Sequence, residues 1–436
     1  MGSLALVSAS GKSSLMQVYV SSAVLLLGSV ALVVPTGYSV GAVLLLLGSA
    51  ALLVKRPALH VTRQDLWVIV ALVAYALVGM AEALWDGQGV RGLDNPSRFL
   101  FAIPAMLLVM AYPPRLQWMW AGLAVGSVGA GTLAAWQRFV EGASRAGGHT
   151  QIIQFGNISL LMGMLCVAGL GWALVQRHRE PWMLLLILGA IGGIFGSLLS
   201  GSRGGWIGLP LMLLVVYRGY GRGLPFGVKL TALSCVLAAG ALVYAAPQLG
   251  VQDRVHQAVE DVRLYFVEDN PDTSVGRRLD MWRGAWQLAL QSPVVGVGSS
   301  GYDAGMVSMV EEGKLHPSVL RFNHAHNEFF DTLAKRGLVG LAVLLMLYLI
   351  PMRLFARRLS APDMEVRSLA VGGTLLSVAY IDFSLTQGFL THNSGIMVYS
   401  FWLAVLWGAF KNANERQDSG SDNRGLSADS AADNTR

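Results

Sequence analysis

Asn323-His324-Ala325-His326-Asn327-Glu328-Phe329-Phe330, running on through Lys335-Arg336-Gly337 to Gly340, closes the one long polar interval of this chain, 248–336, and leads directly into an apolar run. Two histidines two residues apart therefore stand where a water-facing layer meets an apolar one. His326 shares an i, i+3, i+4, i+7 stripe with Phe329, Phe330 and Leu333, so on a helix it takes the side that packs. A histidine on such a face titrates near neutrality and can accept a proton. It can equally well satisfy a backbone carbonyl at a helix start.

Outward from this stretch, composition bounds the class. Of 436 residues 54% are hydrophobic and only 13% charged, and the mean hydropathy is +0.52, which excludes an ordinary soluble domain. A bilayer-crossing helix needs about 20 mostly apolar residues. Such runs occur at 15–35, 37–54, 66–85, 98–112, 116–136, 153–175, 181–200, 203–217, 226–246, 337–354, 366–387 and 394–411. The fold expected is an all-α integral membrane protein of about 12 transmembrane helices, with one large helical loop between spans 9 and 10. Its divisions are spans 1–9 over 1–247, the loop over 248–336, spans 10–12 over 337–411 and an unstructured polar tail over 412–436. The first run lacks a small-residue cleavage site and a second span follows at once, so it reads as a retained helix.

With the N-terminus inside, fourteen lysines and arginines fall in the inner loops and five in the short outer ones. Basic excess marks the cytoplasmic face of short loops, so both ends are expected inside and the long loop outside. The net charge of +6 reflects this bias and does not argue for nucleic acid. Cys166 and Cys235 lie inside apolar runs and make neither a disulfide framework nor a metal site. No metal-binding, P-loop or dinucleotide motif appears, so no metal and no cofactor is expected. The cluster Gly296-Val297-Gly298-Ser299-Ser300-Gly301 reads as a turn-rich connector.

The outer side carries the candidate site residues. Arg98 follows Asp94-Asn95-Pro96-Ser97 at a span boundary, as a ligand or as an arginine reaching the headgroups. Asn157 opens span six and can bond a substrate or a neighbouring helix. Arg203 sits in a tight turn, Ser200-Gly201-Ser202-Arg203-Gly204-Gly205-Trp206, where an arginine at membrane depth needs an anion or a partner and the glycines can expose backbone N–H groups. Apolar residues at helical spacing make 252–267 and 278–291 amphipathic helices able to lie on the membrane surface. Arg277 and Arg278 start the second, an end that already favours anions. Arg278 falls on the Trp282 and Trp286 side. Arg277 is rotated away, toward Asp280, and a pair with Asp272 or Asp280 is the alternative to anion binding for these two.

Ser202-Arg203-Gly204-Gly205-Trp206, Gly276-Arg277-Arg278-Leu279-Asp280-Met281-Trp282, Gly296-Val297-Gly298 and His326-Asn327 followed after nine residues by Gly337 and Gly340 occur in this order. Together they resemble the O-antigen ligase family, part of a superfamily with O-antigen polymerases and protein O-oligosaccharyltransferases. The resemblance covers topology along the whole chain and motifs within 202–340. It implies a metal- and nucleotide-independent glycosyltransferase of the bacterial inner membrane. This would move O-antigen from undecaprenyl diphosphate to a lipid A–core hydroxyl at the periplasmic face. By similarity, Arg203 and Arg278 handle the diphosphate and His326 is the essential histidine; His324 has no counterpart, and Asn327 accompanies His326. A polymerase or protein glycosyltransferase would differ in its acceptor. A twelve-span transporter fits less well, because the informative charges lie at one face and the halves do not repeat.

Overall fold

The computed structural model describes residues 2–202, 204–246, 251–268 and 270–433, and among these it is helical without a strand. The helices are α1 (Gly2–Ser29), α2 (Gly37–Lys55), α3 (Arg63–Trp85), α4 (Gly89–Ala111), α5 (Leu116–Phe139), α6 (Ile152–Leu174), α7 (Arg179–Ser200), α8 (Leu209–Val216), α9 (Phe226–Ala245), α10 (Val251–Val267), α11 (Ser274–Gln291), α12 (Gly298–Glu311), α13 (Glu328–Ala356), α14 (Met364–Ser384) and α15 (Asn393–Asp433). Among the described residues, nine are long and apolar enough to cross a bilayer: α2, α3, α5, α6, α7, α9, α13, α14 and the Asn393–Asp418 part of α15.

Three of the expected spans take other forms, the first being a shorter apolar helix over Leu15–Ser29. The fourth begins earlier, at Gly89, and carries Pro96 and Pro104 inside the helix. The eighth is broken into a 3-10 turn over Gly204–Trp206, the eight residues of α8 and a π-turn over Tyr217–Gly221. Glycines at 204, 205 and 208 followed by Pro210 explain the break, since none of them sustains a helix interior. At its far end α15 runs on to Asp433, with Lys411 paired to Glu415 at 3.7 Å and Arg416 to Glu365.

Membrane-type packing shows most clearly around α7. A Cβ on Gly193 would sit 2.4 Å from the Ser159 carbonyl of α6, and one on Gly192 2.8 Å from the Ser127 carbonyl of α5. Glycine lets the backbones approach this closely, and Ser127 Oγ then donates across the gap to Gly189 O at 2.7 Å. The main core runs through all the long helices except α9 and includes the fully buried Trp120, Trp402 and Trp407.

The polar interval builds a second, smaller core from Met281, Ala285 and Leu288 of α11, Tyr302, Met306 and Met309 of α12, and Ala325 and Ala334. The buried face of α11 is thus turned to protein and not to the membrane surface. α10 keeps an exposed apolar stripe, Val255, Val259, Val262 and Phe266. The 296–301 cluster, expected as a connector, opens α12. Its signal was the i, i+4, i+7 spacing of Tyr302, Met306 and Met309.

The loop is fastened to the membrane helices at Gly337. That residue interrupts α13 with φ 61° and ψ −160°, a conformation close to glycine-only. Leu338 N donates to Pro293 O at 2.8 Å, Val339 N to Val294 O at 3.1 Å and Val297 N to Ala334 O at 2.9 Å. A Cβ on Gly337 would stand 2.3 Å from the Val294 carbonyl, and one on Gly296 2.3 Å from the Lys335 carbonyl carbon. Gly337→Ala is expected to destabilise by at least the ~1–3 kcal/mol of such backbone strain, read as a lowered Tm in detergent. A variant as stable as the parent would show that this seam contributes little.

Candidate active site

Asn327 decides the local geometry around the histidines. Its Oδ1 accepts from Phe329 N at 3.0 Å and Phe330 N at 3.2 Å, capping α13, while Nδ2 donates to Leu385 O at 3.0 Å. An N-capping asparagine satisfies orphan donors and fixes where the helix begins. Asn327 is 5% exposed. It is placed as a buried helix cap. The same cap places His326 before the helix, not on it. His326 takes φ 48°, in the left-handed region that non-glycine residues seldom occupy outside special sites.

The histidines form a cluster. His326 N donates to His324 Nδ1 at 3.1 Å, so His324 acts as a local brace, and the two rings meet edge to face at 4.2 Å. Phe322 covers His326 at 4.6 Å. On the far side, His326 Nδ1 lies 2.6 Å from Gln387 Oε1, and Gln387 Nε2 lies 3.0 Å from His392 Nε2. Burial, then the nearby His324, push the His326 pKa down to about 4, so its imidazole is neutral at physiological pH. Burial lowers His392 to about 4 as well, and lowers His324. Gln387 and His392 escaped the sequence analysis. Their only signal was the polar residues Thr386, Gln387, Thr391, His392 and Asn393 between two apolar runs.

Arg278 approaches from α11. The helix starts at Ser274, where the Thr273 side chain caps Gly276 N at 3.0 Å. Trp282, one turn beyond Arg278, stacks on Phe330 at 5.6 Å and donates from Nε1 to Ala325 O at 3.0 Å. This locks the Arg278 face of α11 against the histidine segment. Arg278 has no carboxylate partner among the described residues, and burial followed by the like charge of Arg277 lowers its pKa. Arg277 instead donates Nε to Thr273 O at 3.0 Å. The expected neutraliser, Asp280, is committed elsewhere, to Tyr265 Oη at 3.1 Å and His316 N at 2.9 Å.

A cavity of about 200 Å³ lies beside this arginine, lined by Arg145, Ser202, Gly204, Asp261, Arg278 and Thr386. Arg145 donates Nε to Ser200 O at 2.8 Å. Asp261 accepts from Val275 N at 3.2 Å, which turns part of its charge to the α11 backbone. Arg203 lies outside the described residues. Asn157 is fully buried beneath that turn and accepts from Ser202 Oγ at 3.2 Å. Arg98 is drawn away to Asp94, with which it pairs at 2.6 Å.

Two further cavities flank the cluster. One, also about 200 Å³, contains Arg336 and Lys335, but these are paired at 2.8 Å with Glu82 and 3.0 Å with Asp331. Their charge is spent internally. The other, about 420 Å³, borders His392 and is lined by Tyr38, Gln151, Gln154, Asn393 and Ser394, all neutral. Among the described residues no group of three or more histidine, cysteine, aspartate or glutamate side chains has metal-holding geometry.

A multi-helix membrane protein with a polar site at one end, built of an unpaired arginine, a neutral histidine and uncharged amides, suits the handling of an anionic, lipid-borne substrate. Residues 183–345, a stretch that takes in Arg203, Arg278 and His326, match the family model described as O-antigen ligase. An uncharacterized protein of Haemophilus influenzae (strain Rd) is 27% identical over 370 residues, 84% of this chain and 92% of that one. An O-antigen ligase of Escherichia coli K12 is 25% identical over 179 residues, covering 40% of this chain and 41% of that protein.

Proposed function

We propose that the chain is an O-antigen ligase. It transfers O-antigen polysaccharide from undecaprenyl diphosphate to the lipid A–core oligosaccharide at the periplasmic face of the inner membrane. The excess of basic residues in the loops assigned to the inner side supports cytoplasmic termini, with the loop and the histidine cluster on the opposite face. The observation that carries the reading is the meeting of an unpaired, part-buried Arg278 with a neutral, part-buried His326 on elements locked together through Trp282.

The chemistry follows from the donor. A glycosyl diphosphate already has a good leaving group and needs cations to hold charge as it builds on the departing oxygen. Arg278, together with Arg203, binds those oxygens through planar, permanently charged forks. The acceptor hydroxyl attacks the anomeric carbon, its proton passes to His326 Nε2, and the bond to the diphosphate breaks with its electron pair staying on the lipid carrier. One displacement inverts the anomeric centre. The polyprenyl chain stays in the bilayer throughout.

The test is reconstitution of purified protein with carrier-linked O-antigen and rough lipopolysaccharide. A glycan ladder on lipid A–core supports the ligase. Lengthened carrier-linked glycan would make it a polymerase, and glycan on protein a protein transferase. Because guanidinium groups carry the charge compensation, EDTA is expected to leave the transfer rate unchanged. Strict dependence on a divalent ion in the same assay would overturn this mechanism.

A further inference from the structure

We infer that Gln387 is a positioning residue: with His392 behind it, its amide holds His326 in the tautomer whose Nε2 lone pair faces the acceptor hydroxyl. The inference rests on His326 being the base. Gln387 is 2% exposed and touches both rings, with Oε1 2.6 Å from His326 Nδ1 and Nε2 3.0 Å from His392 Nε2. An amide oxygen only accepts and an amide nitrogen only donates. With the oxygen toward His326, Nδ1 must carry the proton, so Nε2 is left bare. His392 must then accept at Nε2 and hold its own proton on Nδ1. The reverse amide orientation would put a proton on His326 Nε2 and disable the base.

The surroundings explain why a neutral amide suits this position. Besides Gln387, the titratable and charged groups facing His326 are His324 beside it, Arg278 on α11 and His392 on the α14–α15 connection. None is a carboxylate, and all that are charged repel an imidazolium. A carboxylate at 387 would orient the ring equally well but would also stabilise its protonated form. Glutamine orients without recruiting a proton. Gln387 and His392 both lie beyond the segment matched by the O-antigen ligase model, so the histidine of that segment is oriented from the last pair of membrane helices.

Two variants and one spectrum test this. Gln387→Leu removes both hydrogen bonds, and kcat is expected to fall ~10–100-fold, the range typical of lost orienting partners, with KM for the carrier-linked donor unchanged. Gln387→Glu keeps the acceptor, so kcat is restored at high pH. Its acidic limb moves up by about 1 unit or more, because the base works only unprotonated and a nearby carboxylate raises its pKa. Nitrogen-15 NMR of histidine-labelled full-length protein in nanodiscs, with His326 identified through H326A, is expected to show Nδ1 protonated and Nε2 bare. A wild-type His326 protonated on Nε2 would overturn the inference, as would wild-type rate and pH profile in both Gln387 variants. If H326A itself retains transfer, the base reading fails instead, and the spectrum still reports the tautomer without reference to activity.

Discussion

H326A is expected to transfer no measurable glycan while still binding carrier-linked donor. Removal of a general base typically costs ~10²–10⁴-fold, and the cluster supplies no ready replacement. His324 has its Nδ1 engaged by His326 N, and His392 faces Gln387. The backbone consequence should be small, since the alanine replaces a residue held at φ 48° by its neighbours and the helix cap at Asn327 remains. Donor binding and thermal stability measured on the same preparation separate lost chemistry from lost fold. Wild-type transfer by H326A would remove the histidine from the mechanism.

Arg278→Ala is the second large effect, and its contrast with Arg277→Ala is the sharper measurement. Losing one preorganised group that stabilises developing charge costs ~10²–10³-fold. Arg278 offers its guanidinium to the cavity without a carboxylate partner among the described residues, whereas Arg277 is turned back onto Thr273 O. R278A should therefore cripple transfer at both limiting and saturating donor, and R277A should be mild at both. R278K keeps the charge but loses the bidentate fork and should fall between them. Equal defects in the two alanine variants would show that the anion is held by the helix start as a whole and not by one side chain.

Much of this architecture could be read from the chain because membrane burial writes itself into long apolar runs. The nine long helices needed no tertiary information. The departures come where one residue overrides a period. Gly204, Gly205, Gly208 and Pro210 break the eighth run, and Asn327 starts α13 one residue after His326, so the stripe linking His326 to Phe329 and Leu333 never forms as a helix. The Arg278 face was legible because Trp282 repeats it at i+4. The partner of Arg277 was not, because Asp280 is claimed by Tyr265 and His316, which only the folded loop brings near. Gln387 was out of reach for the same reason. A lone glutamine acquires meaning from a histidine 61 positions away.

The seam at Gly337 bears on how such proteins can be recombined. The loop's floor belongs to other parts of the chain: Asn327 is tied to Leu385, Glu328 accepts from Leu390 N at 2.9 Å, and Ser299 bonds Glu82 of α3 at 2.7 Å. A chimaera that exchanges 251–336 alone would inherit histidines and arginines without the surfaces that aim them. Acceptor preference should therefore travel between relatives only when the loop is moved together with the ends of α3 and α14 and the connection into α15.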